Sequence, residues 1–162
     1  MSLLIRPAAP QDGGALWAIL EPVIRAGETY ALDRDMTREA ALAYWLGADR
    51  ATFVAEVEGR ILGSYYLRAN QAGGGAHVAN CGYATHEAAR GRGIARAMAE
   101  HSFAEARTRG FRAMQFNFVV SSNAIALRLW HALGFDTVGR LPEAFDHPAL
   151  GPVDAVVLYR RL

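Results

Sequence analysis

Apolar residues recur at two different spacings along the chain, and these spacings predict its helices and strands. Residues 16–24 place apolar side chains three and four positions apart, which predicts a buried helical face on a helix that ends near Gly27. Thr37 can cap a second, shorter helix. Further helices are expected at about residues 93–109 and 123–133, the latter stopped by a glycine.

The other apolar runs are rich in β-branched and aromatic residues, which favours strands. They cover residues 3–6, 52–57, 60–67, 77–85, 113–120, 135–141 and 153–159. Glu58 and Gly59 form the turn of a predicted hairpin, and the prolines in residues 142–152 predict a loop between the last two strands. In the run at 113–120, alternation predicts one face with Met114, Phe116 and Phe118 and another with Gln115, Asn117 and Val119.

The order of these elements, β-α-α-β-β-β-α-β-α-β-β, predicts one α/β sheet that is partly antiparallel and carries helices on both faces. A length of 162 residues suggests one domain, residues 1–162. Ligands in such sheets bind beyond the carboxyl ends of strands. Residues 90–95 and 121–123 both follow strands, so both should lie at that edge.

Composition narrows the class of protein. The net charge of +1 gives no sign of a nucleic-acid or membrane-surface binder. Cys81 is the single cysteine and cannot form an intrachain disulfide, and no apolar run approaches the roughly 18 residues of a membrane span. Residues 1–10 lack the apolar core of a signal peptide, so a cytoplasmic protein is expected. The histidines and the cysteine show no metal-ligand spacing, and no metal is expected.

The segment Arg90-Gly91-Arg92-Gly93-Ile94-Ala95 joins a predicted strand to a predicted helix. Such a junction directs several backbone N–H groups at one point, beside the positive end of the helix dipole. It can therefore hold phosphate, and we expect a pyrophosphate there. Taken alone, the segment is equally consistent with a tight turn.

Two motifs in residues 77–135 resemble signatures of the GCN5-related N-acetyltransferase (GNAT) superfamily. The family's pyrophosphate loop, Gln/Arg-x-x-Gly-x-Gly/Ala, is matched by Arg90, Gly93 and Ala95. Its second signature, an Asn opening a helix that ends in Leu-Gly-Phe, is matched by Asn123 and by Leu133-Gly134-Phe135. The resemblance covers most of the chain and implies the GNAT fold, a single mixed, mostly antiparallel sheet with splayed central strands and helices on both faces.

The resemblance implies acetyl-CoA as co-substrate, lying between the splayed strands. Backbone groups of Tyr83, Ala84 and Thr85 would pair with the pantetheine arm. The diphosphate would be held by the N–H groups of Gly91, Arg92, Gly93, Ile94, Ala95 and Arg96. Arg90 and Arg92 could also contact phosphate, with solvated surface arginines as the alternative. Asn123 would bind the pantetheine arm as well as cap its own helix.

The acceptor side most resembles the yeast-type acetyltransferases that act on azetidine-2-carboxylate, a proline analogue. The likeness lies in Asn80-Cys81-Gly82-Tyr83 and Phe116-Asn117-Phe118-Val119, together with Ser122-Asn123. In that group one asparagine on each splayed strand holds a small amino or imino acid, and by motif these are Asn80 and Asn117. A carboxamide can donate to a carboxylate and accept from an amine without burying a charge. The alternative is that each asparagine only satisfies backbone groups at a strand end.

The implied reaction is direct transfer of acetyl from the thioester to an amine, with the carbonyl polarised by a backbone N–H near Tyr83 or Ala84. Many family members protonate the leaving thiolate with a Tyr seven residues after the Asn, where this chain has Trp130. An indole cannot serve as that acid, so Trp130 should pack against pantetheine or in the core, and the proton donor stays open. Cys81 and His131 are expected to be a buried inert thiol and a surface residue.

Glu28, Thr29 and Tyr30 lie in the loop that borders the acceptor pocket in this superfamily. They are candidates for shaping the substrate site and for deprotonating the amine, with a capped polar loop as the alternative. The expected partner is a small-molecule amine, and dimers are common in the family. Two other functions remain open: a non-catalytic module that binds acyl-CoA, and an acetyltransferase for protein N-termini.

Overall fold

A computed structural model describes residues 2–162 of the chain. Within that range it contains four α-helices, each close to its expected position: α1 Gly13–Ala26, α2 Arg38–Trp45, α3 Ile94–Thr108 and α4 Ala124–Ala132. Gly27 ends α1 in the left-handed conformation, and the Thr37 side chain caps α2 by accepting from Ala40 N. None of the helices in residues 2–162 is long and apolar enough to cross a membrane.

Within residues 2–162, seven strands form one sheet, in the order β1-β2-β3-β4-β5-β7-β6. Their bounds are β1 Leu3–Pro7, β2 Ala51–Val57, β3 Arg60–Ala69, β4 Val78–Thr85, β5 Ala113–Val120, β6 Asp136–His147 and β7 Gly151–Arg161. Only the central pair β4 and β5 is parallel, and every other neighbouring pair is antiparallel. The expected mixed, mostly antiparallel sheet of the GNAT fold is therefore confirmed.

Helices cover both faces of the sheet, as the element order predicts. On one face α3 and α4 bury residues such as Phe53, Met98 and Phe116. On the other face α1 and α2 bury residues such as Leu20, Trp45 and Val54. Phe53 and Val54 are successive residues of β2, so the alternation of the strand sends them into different cores.

The two central strands separate toward their carboxyl ends. Strands β4 and β5 are paired only at Val78 with Ala113 and at Ala79 with Met114. Beyond that point Asn80 Nδ2 donates to the backbone oxygen of Gln115 at 3.0 Å, and the rest of β4 has no backbone pairing to β5. This separation leaves a cleft between the carboxyl ends of β4 and β5.

The strict alternation expected for β5 is wrong at its carboxyl end. Phe116 lies opposite Leu158 and Val119 opposite Val156, so β5 has one more residue than β7 across this interval. This β-bulge turns Val119 toward the same core as Phe116. Phe118 packs edge-on to Phe145 instead.

The loop expected over residues 142–152 is also wrong, because most of it is strand. Strand β6 continues through Pro142 to His147, and β7 begins at Gly151. Pro142 is tolerated because β6 is the edge strand and its register shifts between Leu141 and Phe145. Only the turn between His147 and Gly151 remains outside the two strands.

Candidate active site

The edge of β4 that faces the cleft has no backbone pairing to β5 beyond Ala79. Asn70 N bonds to Val78 O and His86 N to Leu62 O, so the even-numbered residues of β4 exchange hydrogen bonds with β3. The backbone N–H and C=O of the odd-numbered residues Tyr83 and Thr85 therefore point into the cleft. Of the two N–H groups considered for polarising a carbonyl, that of Tyr83 faces the cleft and that of Ala84 faces β3.

Tyr30 reaches the cleft from the loop between α1 and α2. Its hydroxyl donates to the backbone oxygen of Tyr83, and its ring packs edge-on against Trp45 at 6.1 Å. Burial raises the pKa of Tyr30 well above its ordinary value, so the phenol stays neutral. Thr29 is partly buried and Glu28 is exposed in the same loop. Of the three predicted loop residues, only Tyr30 makes a side-chain hydrogen bond to β4.

A chain of side-chain amides crosses the cleft on the face covered by α1 and α2. Asn117 Nδ2 donates to Asn70 Oδ1 at 2.6 Å, and Gln115 Nε2 donates to Asn117 Oδ1 at 3.0 Å. Asn80 joins this chain through its bond to the Gln115 backbone oxygen. The two predicted asparagines are thus brought to one place, linked through Gln115. Asn80 also satisfies a backbone carbonyl of β5 next to the last backbone pair with β4, which is close to the structural role considered for it.

Tyr44 and Tyr66 form an aromatic wall beside the chain of side-chain amides. Tyr66 lies opposite Gly82 in the β3–β4 register, and a Cβ added at Gly82 would come within 2.4 Å of the Tyr66 ring. The Tyr66 hydroxyl contacts that of Tyr44 at 3.2 Å, and the guanidinium of Arg50 lies over both rings. The absence of a side chain at Gly82 therefore lets Tyr66 lie flat against β4.

The glycine loop after β4 leads directly into α3. Gly91 and Gly93 have φ of 74° and 76°, and a Cβ at either would meet no atom within 4 Å. These glycines are needed for left-handed backbone rather than for space. The N–H groups of Ile94, Ala95 and Arg96 fall in the first turn of α3, where no intrahelical acceptor exists.

One part of the predicted phosphate cradle needs correction. The N–H of Arg92 already donates to Ala89 O at 3.2 Å and is not available to a ligand. Arg90 and Arg92 are exposed, and Arg96 pairs with Glu100 at 3.3 Å along the outer face of α3. The first turn of α3 and its flanking glycines are the part of the segment that suits an anion.

Asn123 and Trp130 occupy different environments on α4. Asn123 caps the helix by accepting from Ala126 N at 3.3 Å, which leaves its Nδ2 group without a partner in residues 2–162. Trp130 is 7% exposed and packs against Tyr83 and Phe116, with ring centroids 4.9 Å and 4.7 Å away. Trp130 thus lies in the aromatic core behind the cleft.

The side chains of Cys81, His131 and His86, the other candidate nucleophile and bases, are buried or make local contacts. Cys81 is buried on the α3 face, and burial raises the pKa of its thiol to about 12. His131 is exposed and contacts Phe135 O at 3.0 Å. His86 accepts from Ala88 N in a local turn. No cluster of three or more His, Cys, Asp or Glu side chains in residues 2–162 could hold a metal ion.

Four residues of this region were not predicted from the sequence: Asn70, Gln115, Tyr66 and Arg50. Arg50 and Asn70 lie at the ends of elements and belong to no motif. Alternation did place Gln115 and Asn117 on one face, which was the only sequence signal for a polar cluster. Their partners across the sheet depend on strand register, which residue patterns do not specify.

A sheet with a splayed parallel pair, a glycine loop entering α3 and an Asn-capped α4 define an acetyltransferase of the GNAT class. The profile of the acetyltransferase (GNAT) family matches residues 17–135, and the chain belongs to that family of acyltransferases.

Individual relatives agree with this assignment. The chain is 41% identical to a GCN5-related N-acetyltransferase from Kribbella flavida, with a TM-score of 0.93 over 99% of this chain and 98% of that one. It is 28% identical over 137 residues to the N-acetyltransferase aca1 of Schizosaccharomyces pombe, covering 75% of this chain and 66% of the yeast protein. The chain therefore spans just under two thirds of that relative's length.

A third relative has the same fold at lower identity. The phosphinothricin acetyltransferase from Sinorhizobium meliloti, whose structure is a complex with acetyl-CoA, is 22% identical with a TM-score of 0.86. The alignment covers 100% of this chain and 89% of that protein.

Proposed function

We propose that the protein transfers acetyl from acetyl-CoA to the amine of a small amino or imino acid. The observation that carries this proposal is the chain of amides across the cleft, in which Asn117, Gln115 and Asn80 lie beside the open edge of β4. These groups offer neutral donors and acceptors on the same pair of strands that carries the backbone N–H of Tyr83. A small acceptor with both an amine and a carboxylate can use both kinds of group.

The donor side supports acetyl-CoA as co-substrate. The open edge of β4 at Thr85 can pair with an extended pantetheine amide, as an added strand would, which leaves the N–H of Tyr83 for the thioester. The first turn of α3 and its flanking glycines suit the diphosphate, and Asn123 Nδ2 is a further donor. When bound, acetyl-CoA supplies the activated thioester.

The chain's own residues then position and polarise the reacting groups. The N–H of Tyr83 points at the cleft, where it would stabilise negative charge on the thioester oxygen. Tyr30 donates to the backbone oxygen of Tyr83, which belongs to the next peptide group along β4, and so ties the loop between α1 and α2 to the residue that carries this N–H. Cys81 is on the other face of the sheet, so direct transfer to the amine fits better than a covalent enzyme intermediate.

The proposal is tested by acceptor-dependent release of CoA from acetyl-CoA. Proline, azetidine-2-carboxylate, the common amino acids, simple amines and short peptides form the panel. Free thiol can be followed with a thiol reagent because the only cysteine, Cys81, is buried. We expect turnover with one or more amino or imino acids. Tight CoA binding with no turnover would favour a non-catalytic module, and turnover of peptides alone would favour acetylation of protein N-termini.

A further inference from the structure

A second group of polar side chains lies on the same face of the sheet as the amide chain. Arg68 on β3 is in register with Asn80 on β4, so the two side chains are neighbours on that face. Two positions back along β3, Tyr66 lies on the same face, with Arg50 over its ring at 4.6 Å. The acceptor side of the cleft therefore continues from Asn117 through Asn80 to Arg68.

Two guanidinium groups share one carboxylate in this region. Asp49 accepts hydrogen bonds from Arg50 at 2.9 Å and 3.4 Å, whereas its Oδ2 lies 3.8 Å from Nη1 of Arg68. The hydrogen bond from Arg50 is the main reason that the pKa of Asp49 lies below its ordinary value. Asp49 is therefore engaged chiefly by Arg50, and the charge of Arg68 is the less compensated of the two.

Both arginines also carry a buried N–H group with no acceptor. Nη1 of Arg50 and Nε of Arg68 have no hydrogen-bond partner in residues 2–162. The side chain of Arg50 is 7% exposed and is enclosed by the rings of Tyr44 and Tyr66, while that of Arg68 is 30% exposed. A buried charged donor without a partner is unfavourable, so the pair suits an anion. Arg68 is the one open enough to bind it.

We infer that Arg68 is the residue that binds the α-carboxylate of the acceptor, and that Arg50 positions it by keeping Asp49 engaged. This inference rests on the proposed function and narrows its substrate class to amino and imino acids with a free α-carboxylate. A guanidinium binds a carboxylate in a planar, two-point geometry, which an uncharged amide cannot match. The amide chain next to Arg68 is then left to hold the amine end.

The inference is tested with pairs of acceptors that differ only in this group. Each amino or imino acid in the panel, proline and azetidine-2-carboxylate included, is compared with its own carboxamide by kcat/KM. The wild type should favour the acid by about 10-fold or more, since it alone forms the charged hydrogen bonds. In Arg68→Met the kcat/KM for the acid should fall about 10- to 100-fold, while the kcat/KM for the carboxamide should change by less than about threefold.

Two further variants guard against a merely structural effect. Arg68→Lys keeps the charge without the planar fork, and it should recover part of the preference for the acid. Arg60→Met, at the exposed start of the same strand, should leave the preference unchanged. Acetyl-CoA affinity and the melting temperature are measured for each variant. If Arg68→Met does not fold, the preference of Arg68→Lys for the acid over the carboxamide tests the inference instead.

The outcomes separate this inference from the proposed function. If the wild type uses amines without preferring the acid, or if Arg68→Met lowers both acceptors equally, the inference is refuted and the function stands. If no amine is turned over, the function is refuted. Calorimetric titration of the same pairs in the presence of CoA then decides the inference: Arg68-dependent binding of the acid supports it, and no such binding overturns it.

Discussion

At the scale of single residues, the buried carboxylate of Asp12 is stabilised by the hydrogen-bond donors that surround it. Asp12 is 5% exposed, and its carboxylate accepts two hydrogen bonds from Arg6, at 2.8 Å and 3.0 Å, and one from Ala9 N at 2.7 Å. The Arg6 hydrogen bonds, opposed by burial, hold the pKa of Asp12 below its ordinary value. The pair ties β1 to the turn that opens α1.

This pair predicts a dependence of stability on pH. A carboxyl whose pKa is lowered in the folded state stabilises the fold above its unfolded pKa of about 3.9, and the contribution is lost as pH falls through the folded value. Asp12→Asn should cost about 1–3 kcal/mol at pH 7 and flatten the loss of stability below about pH 4. Urea unfolding from pH 7 to pH 2 checks this. Asp35→Asn, at an exposed loop carboxyl, should not flatten the curve; equal flattening would contradict the assignment.

At the scale of elements, the glycines divide into those that supply a backbone conformation and those that supply space. Gly93 has φ of 76° with nothing near its missing Cβ, and Gly110 after α3 has φ of 88° in the same situation. Gly82 differs, because the Tyr66 ring occupies the place of its side chain. The two kinds of glycine therefore predict different consequences of the same substitution.

Gly93→Ala and Gly110→Ala should cost similar stability, about 1–2 kcal/mol, because each forces an alanine into left-handed backbone. Only Gly93→Ala should also weaken acetyl-CoA binding, by about 10-fold, since it displaces the N–H groups at the start of α3. Thermal unfolding and calorimetric titration measure the two effects. Equal loss of acetyl-CoA affinity in both variants would show that the loop has no specific role in binding.

Gly82→Ala should displace Tyr66 from the aromatic wall, because its Cβ would come within 2.4 Å of the ring. We expect a loss of stability of about 1–3 kcal/mol and a lower kcat/KM for the acceptor. Gly74→Ala is the matched control, since its Cβ would meet nothing within 4 Å. A Gly82→Ala protein as stable and active as the control would refute the role given to this close approach.

At the scale of the whole molecule, local signals predicted most elements and long-range pairing accounted for the errors. The hydrophobic spacing and the caps at Gly27 and Thr37 placed the helices, because those signals act within one turn. The bulge in β5 depends on its pairing with β7, and the passage of β6 through Pro142 depends on its place at the sheet edge. Neither is encoded in neighbouring residues.

The site was predictable to a similar extent. Motifs selected Asn80, Asn117 and the glycine loop, and the structure brings the two asparagines together through Gln115. Asn70 and Arg68 join them only because β3 lies next to β4 in a particular register. A residue that acts through its neighbour on another strand leaves no pattern along its own strand.

The central claim is that the cleft between β4 and β5 binds acceptor and donor through separate groups, and Asn117→Ala tests it most directly. The acceptor kcat/KM should fall by about 10-fold or more, while the dissociation constant of acetyl-CoA stays within about twofold of the wild type. Gln11→Ala, at an exposed amide in the turn before α1, controls for loss of an amide elsewhere. An equal loss of acceptor use and acetyl-CoA binding in Asn117→Ala, or no loss of either, would contradict the account.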